Sequence, residues 1–480
     1  MKKSLPSLTA LLLSASMLAG CVSSPTTEPQ FKPLEAPKLG LDGAAAPHFA
    51  GDWWTAFKDP QIDRLALLVM ANNPSLQQAL ARLRGAQSAL AVYQTAQYPQ
   101  ITLDGQEQRL LFSKNYIIPP PFGGTYQWYG QVAANIGWNL DFWGKTASQI
   151  EQAQRGADAA ALDLAAAHIA LSGAFAQTYL NLVLAWEDSD IAEANVRERA
   201  GILQLTQDRA NQGLENDATL EQAKALLAAA RVDQTNVLAQ RETIVHALAA
   251  LTGQGADAYP AIVRPAPQLD VKLPLPDKLP MDLLARRPDV IAARARIDAA
   301  AAGREAAYAD FFPNINIVAL AGFQSIGLSN LLTGNSFTYG AGPAIHLPLF
   351  DAGRLRAQYA GATAELDGAV AGYNDTVLTA VRQTADALTQ VRALAEQRQQ
   401  QALALASAER SFSLAQSRYK SGLFTQIEVL NAEATVLAAR QRMAALVAQY
   451  AVQRITLILC VGGGFEPGPP AQTASANPSG

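Results

Sequence analysis

The chain is poor in the residues that catalysis, metal binding and disulfide scaffolds draw on. Two cysteines and four histidines are spread over 480 residues. His48, His168, His246 and His346 have no ligand spacing, and no H-E-x-x-H, paired C-x-x-C or Walker A sequence occurs. Gly462-Gly463-Gly464 has no strand before it and no helix after it, and Ser172-Gly173 is not a nucleophile elbow. The expectation is no enzyme, no metal and no cofactor. Basic excess is missing too: the net charge is −4, which argues against a nucleic-acid partner. If Cys21 is taken up at the N-terminus, as its surroundings suggest, Cys460 is the one thiol left, and an internal disulfide is not expected. Cys460 lies in the apolar run 455–461 and reads as buried filling.

Proline is absent between Pro121 and Pro260, and again between Pro348 and Pro467. Those windows are rich in Ala, Leu, Gln, Arg and Glu, which are good helix formers. Helices of ~67 residues, from Gly144 to about Arg209 and from Gly353 to about Lys420, would each span ~100 Å. The plainer alternative is several shorter helices broken at Gly156, Gly173 and Gly201, and at Gly361, Gly368 and Gly372.

The chain also contains itself twice. Residues 74–101 match 288–315 at an offset of 214, with Arg82 on Arg296, Tyr98 on Phe312 and Pro99 on Pro313. Further on, Gly144 falls on Gly353, Arg209 on Arg418, Gly213 on Gly422 and Leu214 on Leu423, at an offset of 209. A duplicated large unit, not a short solenoid, is implied.

The first residues, Met1-Lys2-Lys3, an apolar run from Leu8 to Leu18 and then Ala19-Gly20-Cys21, describe a secretory signal. The run is too short for a permanent span of ~20 residues. Leu18-Ala19-Gly20-Cys21 resembles a lipobox, so Cys21 becomes the lipidated N-terminus, a covalent lipid in place of a cofactor. Val22 stands where inner-membrane-retained lipoproteins of the enterobacterial type carry Asp, which favours the outer membrane. Cleavage removes Lys2 and Lys3 and leaves 41 acids against 35 bases, a net of −6.

Each copy has one non-helical region. Residues 101–106 and 126–140 in the first, and 315–320 and 337–347 in the second, alternate apolar with polar or small residues, the period of a strand between two solvents. Aromatic residues, including Tyr98, Tyr116, Tyr126, Trp138, Trp143, Phe312 and Phe350, sit near their ends, as in the girdles of outer-membrane barrels. Four strands cannot close a barrel, and an open sheet edge is not tolerated in lipid. Either the sheet is soluble or several chains pool their strands; two, three or four chains are all compatible with the sequence.

These residues resemble the TolC-type outer-membrane factor family, in its NodT-like lipoprotein branch. Trp53-Trp54-x-x-Phe57-x-Asp59-Pro60 with Asn73-Pro74-Ser75-Leu76 is similar to the family's opening. Leu283-Leu284-Ala285-Arg286-Arg287-Pro288-Asp289-Val290 resembles the start of its second half, and Pro348-Leu349-Phe350-Asp351-Ala352-Gly353-Arg354 its return from strand to helix. Arg418-Tyr419-Lys420-Ser421-Gly422-Leu423 with Val429-Leu430-Asn431-Ala432 is similar to its helical tip.

The resemblance implies a mainly α protein with a transmembrane β-barrel, in a duplicated α-β-β-α-α repeat. Three chains would build a twelve-stranded barrel in the outer membrane, continuous with a long α-helical periplasmic barrel. It implies a homotrimer that passively conducts drugs or other small toxic compounds, with an RND-type inner-membrane pump and a periplasmic adaptor as partners. A belt between the barrels would draw on the N-terminal segment, residues 186–200, residues 261–280 and the C-terminal region. The adaptor would dock on the tips Gly213-Leu214 and Gly422-Leu423. The periplasmic gate would involve Glu428 as an acidic ring, with Asp217, Tyr419, Arg418 and Phe424 near it. Tyr419 would contact Asp217 or Glu215, and Arg418 a neighbouring helix. A second acidic ring is missing, because Asn431 occupies its position.

The expected division is a signal peptide at 1–20, a lipidated linker at 21–50, and a first repeat at 51–262 with strands at about 100–140. A Pro-rich connection at 263–280, a second repeat at 281–462 with strands at about 314–347, and a disordered tail at 463–480 complete it. Competing expectations are the outer-membrane duct of a type I protein secretion system and a periplasmic coiled-coil lipoprotein acting as a spacer, which would need no membrane strands.

Overall fold

The computed structural model describes residues 26–466 other than 42, 116 and 271–273. The expected signal peptide, Cys21, Tyr116 and residues 467–480 therefore lie outside the described residues.

The proline-free windows fold as unbroken helices. A short pair, α1 (Pro60–Asn72) and α2 (Pro74–Thr95), leads into strands β1 (Gln100–Leu111) and β2 (Tyr126–Leu140). Then come α3 (Lys145–Asn211, 67 residues) and α4 (Asp217–Leu251, 35 residues). The second copy repeats the plan with α5 (Pro288–Ala309), β3 (Asn314–Ile326), β4 (Phe337–His346), α6 (Arg354–Lys420, 67 residues) and α7 (Gln426–Cys460, 35 residues). Each 67-residue helix starts from an aspartate that accepts backbone N–H groups of its first turn. Asp141 takes those of Thr146 (3.1 Å) and Ala147 (2.8 Å); Asp351 takes that of Leu355 (2.9 Å). These bonds satisfy donors that a helix start otherwise leaves orphaned. The internal glycines break neither helix. At Gly173 a Cβ would lie 2.2 Å from the Leu459 side chain, so the missing methyl serves close packing.

The chain divides into two compact units that cut across the repeats. One holds residues 1–33, 83–160 and 293–373; the other holds 34–82, 161–292 and 374–480. Each unit draws on both copies, as expected when neither copy can bury its apolar surface alone.

In the first unit the four strands form one antiparallel sheet in the order β1-β2-β3-β4. The β2–β3 pairing, from Tyr129↔Ile326 to Leu140↔Ile315, joins the two copies. β1 and β4 are left as edges. Because alternate residues share a face, the register gives the sheet two surfaces of opposite character. Successive rows of one are Trp138–Ile317–Pro343, Ile101–Ile136–Ala319–Ala341, Leu103–Ala134–Ala321–Tyr339 and Gly105–Val132–Phe323–Phe337. The other carries Gln100, Thr102, Asp104, Gln106, Asn135, Asn139 and Asn316.

In the second unit the main core gathers the motif residues Trp53, Trp54 and Phe57 with Ile62 and Leu65 of α1, Phe175, Tyr179 and Leu182 of α3, Leu248 of α4, and Ile455 and Ile458 of α7. Asp59 ties three segments together. It caps α1 through Gln61 N (2.9 Å), and its other oxygen accepts from the Tyr179 hydroxyl (2.5 Å) and Ala266 N (2.9 Å). Burial and the bond to Asp59 hold the Tyr179 phenol far above its ordinary range.

Two expectations change. The main core takes Leu171–Leu182 of α3 with Trp186 at its margin, and beyond it Asp190 holds Arg264 of the 261–280 connection at 2.5 Å. Cys460 is partly exposed, its thiol pushed up by burial. Gly463–Glu466, placed in the tail by composition, are bonded in: Gly463 N donates to Ile458 O (2.9 Å) and His48 lies 2.9 Å from Glu466.

Candidate gate and docking tips

Helices α3 and α6 both end in the same turn. Gly213 and Gly422 adopt φ of +73° and +74°, the left-handed conformation that an L side chain resists. Leu214 N then reaches back to Arg209 O (2.8 Å), and Leu423 N to Arg418 O (2.9 Å), closing the last carbonyls of each helix. Two residues on, α4 starts from Asn216, whose side chain accepts from Thr219 N (2.9 Å); α7 starts from Thr425. The turns leave Leu214 and Leu423 60% and 76% exposed, large apolar side chains with no cover within the chain.

Behind the turns lies a small cluster of Ile202, Ala415, Tyr419 and Val429, with Phe412 and Phe424 against it. Tyr419 is buried, and desolvation raises its phenol pKa. Its hydroxyl donates to Glu215 Oε1 at 3.3 Å, the same oxygen lies 3.3 Å from Arg209 Nε, and the Arg209 guanidinium lies 4.9 Å from the centre of the Tyr419 ring. Of the two acids considered from sequence, Glu215 takes the contact. Asp217 is exposed on the first turn of α4, one residue beyond the cap and away from Tyr419. Arg418 lies 5.0 Å from the Phe424 ring, within its own turn. Glu428 is engaged locally: its Oε2 accepts from Thr425 N (2.7 Å) and from the Thr425 hydroxyl (3.1 Å), a capping box that starts α7.

Two participants were not assigned from sequence. Arg209 is the repeat partner of Arg418, and that equivalence was the available signal. Glu433, 1% exposed, faces Arg199 of α3 at 3.2 Å. It stands between Val429 and Val436 on an apolar helical face, the one acid where the pattern calls for a hydrophobe. Burial pushes its carboxyl up to about 7; Arg199 opposes that shift and Glu198 adds to it. Nearby, Gln426 Nε2 donates to the Thr206 hydroxyl at 2.9 Å, a second polar link between α7 and α3. Among the described residues no group of three or more His, Cys, Asp or Glu is placed to hold a metal.

The chain matches the family described as outer membrane efflux protein over residues 65–254 and 279–463, one match for each copy. It belongs to that family. It is 34% identical to the fusaric acid resistance protein FusA of Burkholderia cepacia over 368 residues, covering 74% of this chain and 69% of FusA. It is 29% identical to the multidrug resistance outer membrane protein MdtP of Escherichia coli K12, over 96% of this chain and 97% of MdtP. The outer membrane protein VceC of Vibrio cholerae superimposes with a TM-score of 0.82 at 31% identity, over 88% of this chain and all of VceC. The chain is thus an outer-membrane efflux channel with the mainly α, TolC-like fold, spanning the outer membrane and extending into the periplasm. The family forms trimeric channels that work with efflux pumps.

Proposed function

We propose that this chain is the lipid-anchored outer-membrane duct of an RND-type tripartite pump. It passes drugs or other small toxic compounds handed on by a periplasmic adaptor. Three copies pool their strands into twelve, which removes the free edges of β1 and β4 from lipid. Cys21 carries the covalent lipid. The adaptor docks on Gly213-Leu214 and Gly422-Leu423, and the contact of Tyr419 with Glu215 and Arg209 latches the mouth. Arg418 with Phe424 shapes the same turn, and Glu428 and the exposed Asp217 add negative charge around the mouth. The duct itself does no chemistry.

The observation that carries this reading is the matched pair of turns. Two glycines of the same left-handed conformation each present an exposed leucine between long helices. One exposed leucine would carry little weight, but the same left-handed glycine followed by an exposed leucine recurs at both tips. The test is Leu423→Glu in cells that depend on this pump. Efflux is lost, while protein level, trimer and membrane insertion stay normal. Undiminished drug resistance at normal protein level would exclude tip docking.

A further inference from the structure

The polar face of the sheet is nearly uncharged. On β1 it presents Gln100, Thr102, Asp104, Gln106 and Gln108, and the facing residues of β2 are neutral. Its amides bond to one another, as Gln106 does to Gln131 (3.0 Å). Asp104 is the single acid that any of the four strands places on this face. Its carboxylate is fixed in position, accepting from Asn135 Nδ2 (2.7 Å) and from the Thr102 hydroxyl (3.0 Å). The other two charged strand residues, Glu107 and Arg109, have the opposite parity and sit toward the β1–β2 hairpin loop. The apolar face belongs against lipid, so the polar face lines the water-filled interior.

We propose that Asp104 is the residue that makes the outer-membrane end of the duct cation-selective. This rests on the reading of three chains sharing one barrel. Threefold repetition then gives a ring of three carboxylates in an otherwise uncharged wall, where amides alternate with Val318 and Leu320. The physics is that of acidic rings in cation channels: fixed negative charge raises the local concentration of cations and lowers that of anions. With three unit charges ~10 Å from the axis in water at ~0.1 M salt, cations are enriched about twofold and anions depleted about twofold. The permeability ratio of the exit is therefore shifted about fourfold toward cations. Cationic solutes are the class of cargo that this exit favours.

The test uses purified full-length protein in planar lipid bilayers, with reversal potentials read under a KCl gradient. D104N lowers the potassium-to-chloride permeability ratio about fourfold at ~0.1 M salt, and the difference shrinks at ~1 M, where charge is screened within ~3 Å. D104R lowers the ratio further, by about the same factor again. E107Q, on the opposite face, leaves it unchanged. A ratio in D104N and D104R equal to that of the unaltered protein overturns the assignment, and so does an E107Q effect as large as that of D104N. If the unaltered mouth stays shut, the same ratios are read in the E215Q background; a protein that is monomeric in detergent by light scattering overturns the shared-barrel reading, and the assignment with it.

Discussion

Replacing Glu433 by Gln should abolish an acid-strengthened contact between α3 and α7. The carboxylate is 1% exposed and pairs with Arg199 at 3.2 Å. The other charges of α3 and α6 around it are already committed, since Glu198 holds Arg440 at 3.2 Å and Glu409 of α6 holds Arg440 at 3.4 Å. Burial raises the Glu433 pKa from 4.5 to about 7 in the packed state. When the helices part and water enters, the carboxyl returns toward 4.5. The packed state therefore binds more protons between those values. Its stabilisation is fully present below 4.5 and is lost as pH rises through about 7. Between pH ~8 and pH ~5.5 the linkage amounts to about 2 kcal/mol, or roughly 25-fold in the opening equilibrium. Water reaching the carboxylate screens part of this, so about tenfold is expected. Hydrogen exchange of peptides from 195–206 and 426–440, corrected for intrinsic rate, reads it directly: protection rises on acidification in the unaltered protein and is flat in E433Q. Protection that rises with pH, or an E433Q slope equal to that of the unaltered protein, would refute the reasoning.

Two further perturbations probe the other polar contacts. Glu215→Gln weakens the bonds from Arg209 and Tyr419 by about 1–2 kcal/mol, so the channel in bilayers should be open about ten times more often; unchanged opening would remove Glu215 from the gate. Tyr179→Phe deletes the 2.5 Å bond to the buried Asp59 and should cost about 1–3 kcal/mol, seen as a lower melting temperature without loss of the channel conductance.

The large-scale fold was legible because its signals are additive along the chain. A proline-free window of suitable composition extends a helix at each residue, and two copies of the same window set both helix lengths at 67 residues. Strand parity was legible for the same reason: β2 alternates from Tyr126 to Leu140, and one residue of slip would have turned Trp138 toward the polar side. The core stretch of α3 was not legible, because helical periodicity is shared by its whole length. Nothing local distinguishes a face turned to another helix from one turned to water. Only contact with Trp53, Phe57 and Ile62, more than a hundred residues away, marks out Phe175 and Tyr179.

The mouth shows a sharper limit. Glu215 and Asp217 are two residues apart and both acidic, and sequence left the choice between them open. The choice is made by the start of α4. Asn216 supplies the cap, so Asp217 enters the first helical turn and faces water, while Glu215 stays in the turn beside Arg209. Glu428 follows the same logic: a carboxylate three residues after Thr425 caps its own helix, and that bond fixes where its charge sits. Glu433 has no such local use. Across the helices it faces Arg199, and its burial is a cost that protonation relieves. The acid whose burial raises its pKa therefore sits one turn and more beyond the acid that the tip motif points to, on the face where the pattern predicts a hydrophobe.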